Sequence, residues 1–206
     1  MFDELLRALK DRLLAPLARR AGPRLSPTLV TLVALAVGVG AAWLAARGQY
    51  GAALACWLAN RALDGFDGAL ARAHGRQGDW GGYLDLVCDF VVYAAIPIGL
   101  AVAADDRRVA LAALALVSAF YVNAASWMYL AAVLERRGAG AAARGERTTV
   151  TMPPGLVAGA ETVLFYALFL LFPGRLPALF AVMTALVAAT VVQRLAWARR
   201  ALRPPG

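Results

Sequence analysis

From Thr28 to Ala46 the chain runs 19 residues without a charge. At 1.5 Å per residue a helix of that length covers nearly all of a hydrocarbon layer roughly 30 Å thick. Further apolar runs follow: about Gly51 to Ala73, Gly82 to Ala104, Val109 to Leu134, Leu156 to Phe172 and Leu176 to Trp197. Glycine, proline or charged clusters separate them, as at Gly75–Gly82, Asp105–Arg108 and Pro173–Arg175. Pro97 is placed to kink the third run. With 61% hydrophobic and 17% charged residues and a mean hydropathy of +0.63, the chain is too apolar for an ordinary soluble domain. The pattern predicts an all-α polytopic membrane protein of six transmembrane helices.

Before the first run, Phe2, Leu5, Leu6, Leu9, Leu13 and Leu17 recur at helical spacing, with Lys10, Arg12, Arg19 and Arg20 on other faces. That suits an N-terminal amphipathic helix in the membrane interface, and equally one packed on the protein itself. Charges throughout residues 1–20 leave no continuous apolar core for a cleavable signal, so the N-terminus is expected to be retained. The expected division is a juxtamembrane segment at 1–26, one six-helix domain at 27–198 and a basic tail at 199–206, with no internal repeat.

The net charge of +8 is distributed in a way that favours anionic lipid over nucleic acid as its partner. The N-terminal segment, the connection after the second run, the 135–154 loop and the C-terminal end hold 16 of the 21 Lys and Arg. By the positive-inside rule both termini face the cytoplasm. Cys56 and Cys88 lie inside apolar runs and read as packing residues.

Four carboxylates interrupt this apolar pattern. Asp64 and Asp67 fall in the second run, and Asp85 and Asp89 in the third. Each costs about 2.5 to 3.5 kcal/mol to place in a hydrocarbon layer, so the set calls for a compensating cation. Residues three and four apart share a helix face. Asp64, Asp67, Gly68 and Ala71 therefore form one stripe and Gly81, Asp85 and Asp89 another, which can face each other across a short connection. The small residues either let the helices approach closely or leave room for a ligand. An all-oxygen donor set suits Mg²⁺, Mn²⁺ or Ca²⁺ better than zinc. Four carboxylates can hold two such ions, and paired ions about 3.5 to 4 Å apart clamp both oxygens of a displacement at phosphorus.

The same residues resemble the signature of the CDP-alcohol phosphatidyltransferases, D-x2-D-G-x2-A-R-x8-G-x3-D-x3-D. Asp64, Asp67, Gly68, Ala71, Arg72, Gly81, Asp85 and Asp89 match every specified position. At ordinary residue frequencies a chance match at a given start is below about 10⁻⁹. The resemblance implies a six-span bundle with a cytoplasm-facing polar cavity, in a homodimer in a prokaryotic plasma membrane. It implies that Asp64, Asp67 and Asp85 bind two Mg²⁺ or Mn²⁺ ions bridging the pyrophosphate of a CDP-linked donor. Asp89 is implied as the general base on the acceptor hydroxyl, with a metal contact of its own. Gly68, Ala71, Arg72 and Thr31 resemble the cytidine-nucleotide subsite, although Thr28 stands where the family often has Asn. Because nearby cations weaken a base, either the metal contact of Asp89 is loose or the acceptor hydroxyl is itself acidified.

Other polar residues have two readings. Arg61, three before Asp64, reads as an ion-pair partner of the acids more readily than as a ligand contact. Arg194, near the end of the sixth run, is a candidate for binding the acceptor. Arg136 and Arg147 are further candidates, or only positive-inside residues. Glu161 suits a substrate cavity or an interhelical hydrogen bond. His74 reads as solvated, and the five tryptophans as an aromatic belt.

The expected activity is transfer of a phosphatidyl group from CDP-diacylglycerol to a small hydroxyl acceptor, with release of CMP. A phosphorylated polyol such as glycerol 3-phosphate or inositol phosphate leads among acceptors. Serine, or transfer from a CDP-linked alcohol to diacylglycerol, stays open. A divalent-cation transporter is the alternative from another class.

Overall fold

The computed structural model describes residues 14–22, 24–141, 143 and 155–202. Among these the chain is helical, with no strand. Residues 14–21 form α1, followed by α2 (Pro27–Ala46), α3 (Tyr50–Ala73), α4 (Asp79–Ala104), α5 (Arg107–Arg136), α6 (Gly159–Leu171) and α7 (Leu176–Ala201). A 3₁₀ turn at Pro173–Arg175 joins the last two. Leu13 and the residues before it lie outside the described part, as do Arg147 and most of its loop.

Sequence punctuation sets the boundaries. Pro27 opens α2 where a missing N–H costs nothing. Asp105 takes the left-handed conformation at φ 45°, and the Asp106 carboxylate caps α5 by accepting from the Arg108 N–H at 2.7 Å. Helix α4 passes through Pro97 without a break. Glu161 has a local task, since its carboxylate accepts from the Ala158 N–H at 3.0 Å and caps the start of α6.

Helix α2 is the hub, packing extensively against both α3 and α4. Helix α5 packs mainly on α7, and α6 on α3. Glycines permit the tightest crossings: a Cβ at Gly38 would sit 2.5 Å from Val92 Cγ2, and one at Gly99 would strike the Ala42 carbonyl oxygen. The main core joins Trp57, Ile96, Leu100, Leu116, Tyr166, Phe169, Phe180 and Met183. A second, smaller cluster seats Ala18 of α1 against Val30, Ala69 and Leu70. The part of the N-terminal helix described here thus packs on the protein. His74 takes part as well, with Nε2 3.1 Å from the Ala18 carbonyl oxygen, so it is half-buried and not simply solvated.

Large apolar side chains such as Leu29, Val91, Ile98, Leu114, Val122 and Leu195 face outward, as in a bundle whose solvent is lipid. Among the described residues, four segments are long and apolar enough to cross a membrane: α2, α4, α5 and Pro173–Ala201. Helix α3 has the length, at 24 residues, but Arg61, Asp64, Asp67 and Arg72 lower its hydropathy. Helix α6 has 13 residues, about 20 Å of rise. The tryptophans divide: Trp43 and Trp80 are exposed, whereas Trp57 and Trp127 are buried in the protein. An aromatic-belt role fails for those two because both rings are enclosed by the protein and not presented to lipid.

Candidate active site

The acidic stripes do not meet through close packing of α3 on α4. These two helices touch each other far less than either touches α2, so they form a cleft with α2 as its floor. Asp64, Asp85 and Asp89 line one small cavity there, of about 10 Å³, with Thr31 of α2, Asn60 and Arg61 of α3 and Cys88 of α4. That volume suits one water or one small ion. A Cβ at Gly81 would meet open space, so this glycine leaves room at the mouth of the cleft and does not draw helices together.

Each carboxylate has a distinct setting. Asp64 and Asp85 adjoin each other, with Asp67 and Asp89 in electrostatic reach of Asp85. Asp67 is buried, and its Oδ2 accepts a 2.6 Å hydrogen bond from Thr31 Oγ1. Asp89 Oδ1 accepts from Arg61 Nη2 at 2.6 Å, and its Oδ2 from the Tyr93 hydroxyl at 3.1 Å. Among the described residues no three His, Cys, Asp or Glu side chains are already set to grip one ion. The partners explain this: Asp67 is turned toward Thr31 and Asp89 toward Arg61. The donor chemistry nevertheless fits a hard divalent cation, with oxygen ligands from two helices around an ion-sized space.

Arg61 is a pairing partner, chiefly of an acid on the other helix. Its Nη1 lies 3.7 Å from Asp64 Oδ2, while its Nη2 makes the shorter contact to Asp89. Nε donates to Asn60 Oδ1 at 2.8 Å, and Asn60 in turn donates to the Ala34 carbonyl at 2.7 Å. The guanidinium carbon sits 4.8 Å from the Trp57 ring centroid and 5.3 Å from that of Tyr93. Asn60 and Tyr93 escaped the sequence reading. A signal was present, since Asn60 lies four before Asp64 and Tyr93 four after Asp89, extending the two stripes by one helical turn each.

The residues matched to a nucleotide subsite lie at the same end of α2 and α3. Thr31 is buried beneath Asp67 and lines the cavity. Ala71 is half-buried and Arg72 exposed at the C-terminal end of α3. Arg72 Nη1 lies 3.2 Å from where a Gly68 Cβ would sit, so the guanidinium folds back along its own helix.

Arg194 belongs to a second polar cluster, between α5 and α7. Though only 5% exposed, its Nη1 donates to Asn123 Oδ1 at 2.7 Å and Ser126 Oγ at 2.8 Å, and Nε has no partner among the described residues. Arg136 is exposed at the end of α5. A 3.1 Å bond from Arg137 Nη1 to the Leu202 carbonyl brings the C-terminal ends of α5 and α7 together. Short turns alternate the helix directions, so these ends share a side of the bundle with the acidic cleft.

Residues 24–195 match the model of the CDP-alcohol phosphatidyltransferase family. The chain is 39% identical over 151 residues to the inner membrane protein YnjF of Escherichia coli (strain K12), covering 73% of this chain and 72% of that protein. Its fold matches Mycobacterium tuberculosis phosphatidylinositol phosphate synthase (PgsA1) with CDP-DAG bound, at a TM-score of 0.72 and 23% identity over 95% of this chain and 99% of that one. The same synthase in complex with manganese and citrate matches at a TM-score of 0.70 and 22% identity, over 93% of each chain.

Proposed function

The chain belongs to the CDP-alcohol phosphatidyltransferase family, and from that premise we propose that it transfers a phosphatidyl group from CDP-diacylglycerol to a small, negatively charged hydroxyl acceptor. The observation that carries this reading is the convergence of Asp64, Asp85 and Asp89 on one ion-sized cavity between α3 and α4. The signature that identifies the family supplies all three.

In this reading Asp64, Asp67 and Asp85 hold one or two Mg²⁺ or Mn²⁺ ions, and Thr31 orients Asp67. Bound there, the ions neutralise charge on the pyrophosphate and on departing CMP. A related synthase of the same fold has been crystallised with manganese, which supports this metal class. Gly68, Ala71 and Arg72 receive the cytidine nucleotide. Asp89 accepts the proton of the acceptor hydroxyl as its oxygen attacks the β-phosphorus, and the bond from phosphorus to the CMP oxygen breaks. The products are a phosphatidyl ester and CMP.

Arg194 favours an anionic acceptor. A guanidinium with neutral partners and an unpaired Nε retains donors and charge for a phosphate group. Glycerol 3-phosphate and inositol phosphate both fit, and Arg136 adds positive charge on the same side, with Arg147, outside the described residues, a further candidate from the sequence. The site then faces the cytoplasm of a prokaryotic plasma membrane, with α3 and α6 completing six spans and both termini inside. A homodimer is the expected assembly.

The test is CMP release by the purified chain given CDP-diacylglycerol, Mn²⁺ or Mg²⁺, and each of glycerol 3-phosphate, inositol phosphate, inositol and serine. Release with a phosphorylated acceptor, abolished by a chelator, supports the proposal. Release only with an uncharged acceptor refutes the role of Arg194, and none with any acceptor refutes the phosphatidyl-donor reading.

A further inference from the structure

The Arg194 guanidinium is held by one corner. Its Nη1 donates to Asn123 Oδ1 at 2.7 Å, Ser126 Oγ at 2.8 Å and the Asn123 carbonyl at 3.4 Å, and Ser126 Oγ donates onward to that same carbonyl at 2.7 Å. These partners are uncharged and lie on α5. On the other edge of the fork, beside Nη2, the buried Nε has no partner among the described residues. A buried donor left in that state costs about 1 to 3 kcal/mol. The segment before α6 closes over this edge. Val157 N–H donates at 3.0 Å to Thr190 Oγ1, one turn before Arg194 on α7. A Cβ at Gly155 would strike Thr190 Cγ2 and sit 3.4 Å from Arg194 Nη2. A simple tie between α5 and α7 needs neither an unpartnered donor nor bare backbone beside it.

We propose that Asn123 and Gly155 make Arg194 a clamp for a phosphate monoester. Asn123, with Ser126, is a positioning residue that fixes Nη1 without cancelling the positive charge. Gly155 is a specificity-determining residue that leaves the Nε–Nη2 edge open to two phosphate oxygens. This rests on the reading of Arg194 as the anchor of the acceptor. Two N–H donors on one planar edge match two oxygens of a phosphate group. The anion enters between Gly155 and the guanidinium and gives Nε the acceptor it lacks. A carboxylate at position 123 would neutralise the charge before any ligand arrived, and a side chain at position 155 would stand beside Nη2 where a phosphate oxygen belongs.

The experiment measures binding of inorganic phosphate to the full chain in detergent, without divalent metal, by equilibrium dialysis. Wild type is compared with Arg194→Gln, Asn123→Asp, Gly155→Ala and Gly155→Ala combined with Thr190→Ser, and melting temperatures are taken on the same preparations. Asn123→Asp keeps the shape and the contact but pairs the charge. It is expected to weaken phosphate binding by about ten- to a hundredfold, the range for losing a charge-assisted hydrogen bond, with no loss of stability. In CMP release it raises the KM for the phosphorylated acceptor and leaves the KM for CDP-diacylglycerol unchanged. A residue that only ties α5 to α7 predicts wild-type phosphate binding. Gly155→Ala lowers both stability and phosphate affinity. Adding Thr190→Ser removes the methyl group that the new side chain would strike and keeps the hydroxyl that holds Val157, so the melting temperature recovers while phosphate affinity stays low. Wild-type phosphate affinity in Asn123→Asp overturns the proposal, as does its return in the double variant. If Arg194→Gln binds phosphate as wild type does, or wild type binds none, the acceptor reading of Arg194 itself fails; if Arg194→Gln alone loses binding, only the roles of Asn123 and Gly155 fail.

Discussion

Between α3 and α4 the half-buried Arg61 pairs with Asp64 and Asp89 beside two further carboxylates, whereas between α5 and α7 the buried Arg194 has neutral partners among the described residues. Both clusters sit inside an apolar bundle, where an uncompensated charge is expensive. The first carries excess negative charge and calls for cations. The second carries excess positive charge and calls for an anion. The proposed reaction, which joins a metal-bound pyrophosphate to an anionic acceptor, would use both, kept apart so that neither neutralises the other. Their placement on separate helix pairs achieves that separation.

The strongest way to break this division is Asp89→Asn, which removes the proposed base while keeping its shape. CMP release should drop by about 10²- to 10⁴-fold, with thermal stability in detergent close to wild type. Arg194→Gln should act on the other cluster alone. Losing a charged hydrogen-bond donor worth about 1.5 to 3 kcal/mol raises the KM for a phosphorylated acceptor by about ten- to a hundredfold and leaves Mn²⁺ affinity unchanged. A change in Mn²⁺ affinity would show that the clusters are coupled.

Smaller effects sharpen the scaffold's part. Gly38→Ala places a Cβ against Val92 and Asn60, which should cost about 1 to 3 kcal/mol and lower the melting temperature. Its loss of activity should follow from unfolding, with residual KM values near wild type. Tyr166→Phe removes the hydrogen bond to the Tyr93 carbonyl and should cost about 1 kcal/mol. It should lower turnover slightly through Tyr93 without altering the KM for the acceptor.

Much of the architecture was legible along the chain. The expected start of the second run at Gly51 became Tyr50, and the expected Val109–Leu134 became Arg107–Arg136. Long apolar runs bounded by proline, glycine and charge have few other solutions, because every backbone group in lipid must be bonded within its own helix. The fifth run reads longer than its helix, Gly159–Leu171, since Leu156 and Val157 are apolar yet precede the Glu161 cap. Trp57 was misjudged for a related reason. Its position suits a belt, but stacking on Tyr166 at 4.9 Å places it in the core.

The sequence by itself determined residence in the membrane, the helical class, the four acids and their family, all of which depend on local composition and fixed spacing. Only the tertiary structure decided how those acids differ. Asp67 meets Thr31 across 36 residues and Asp89 meets Arg61 across 28, and each pair joins two different helices, which periodicity within one helix cannot reveal. The pairings exist because α2 holds α3 and α4 on either side of a cleft, and the shape of that cleft is a property of three helices packed together.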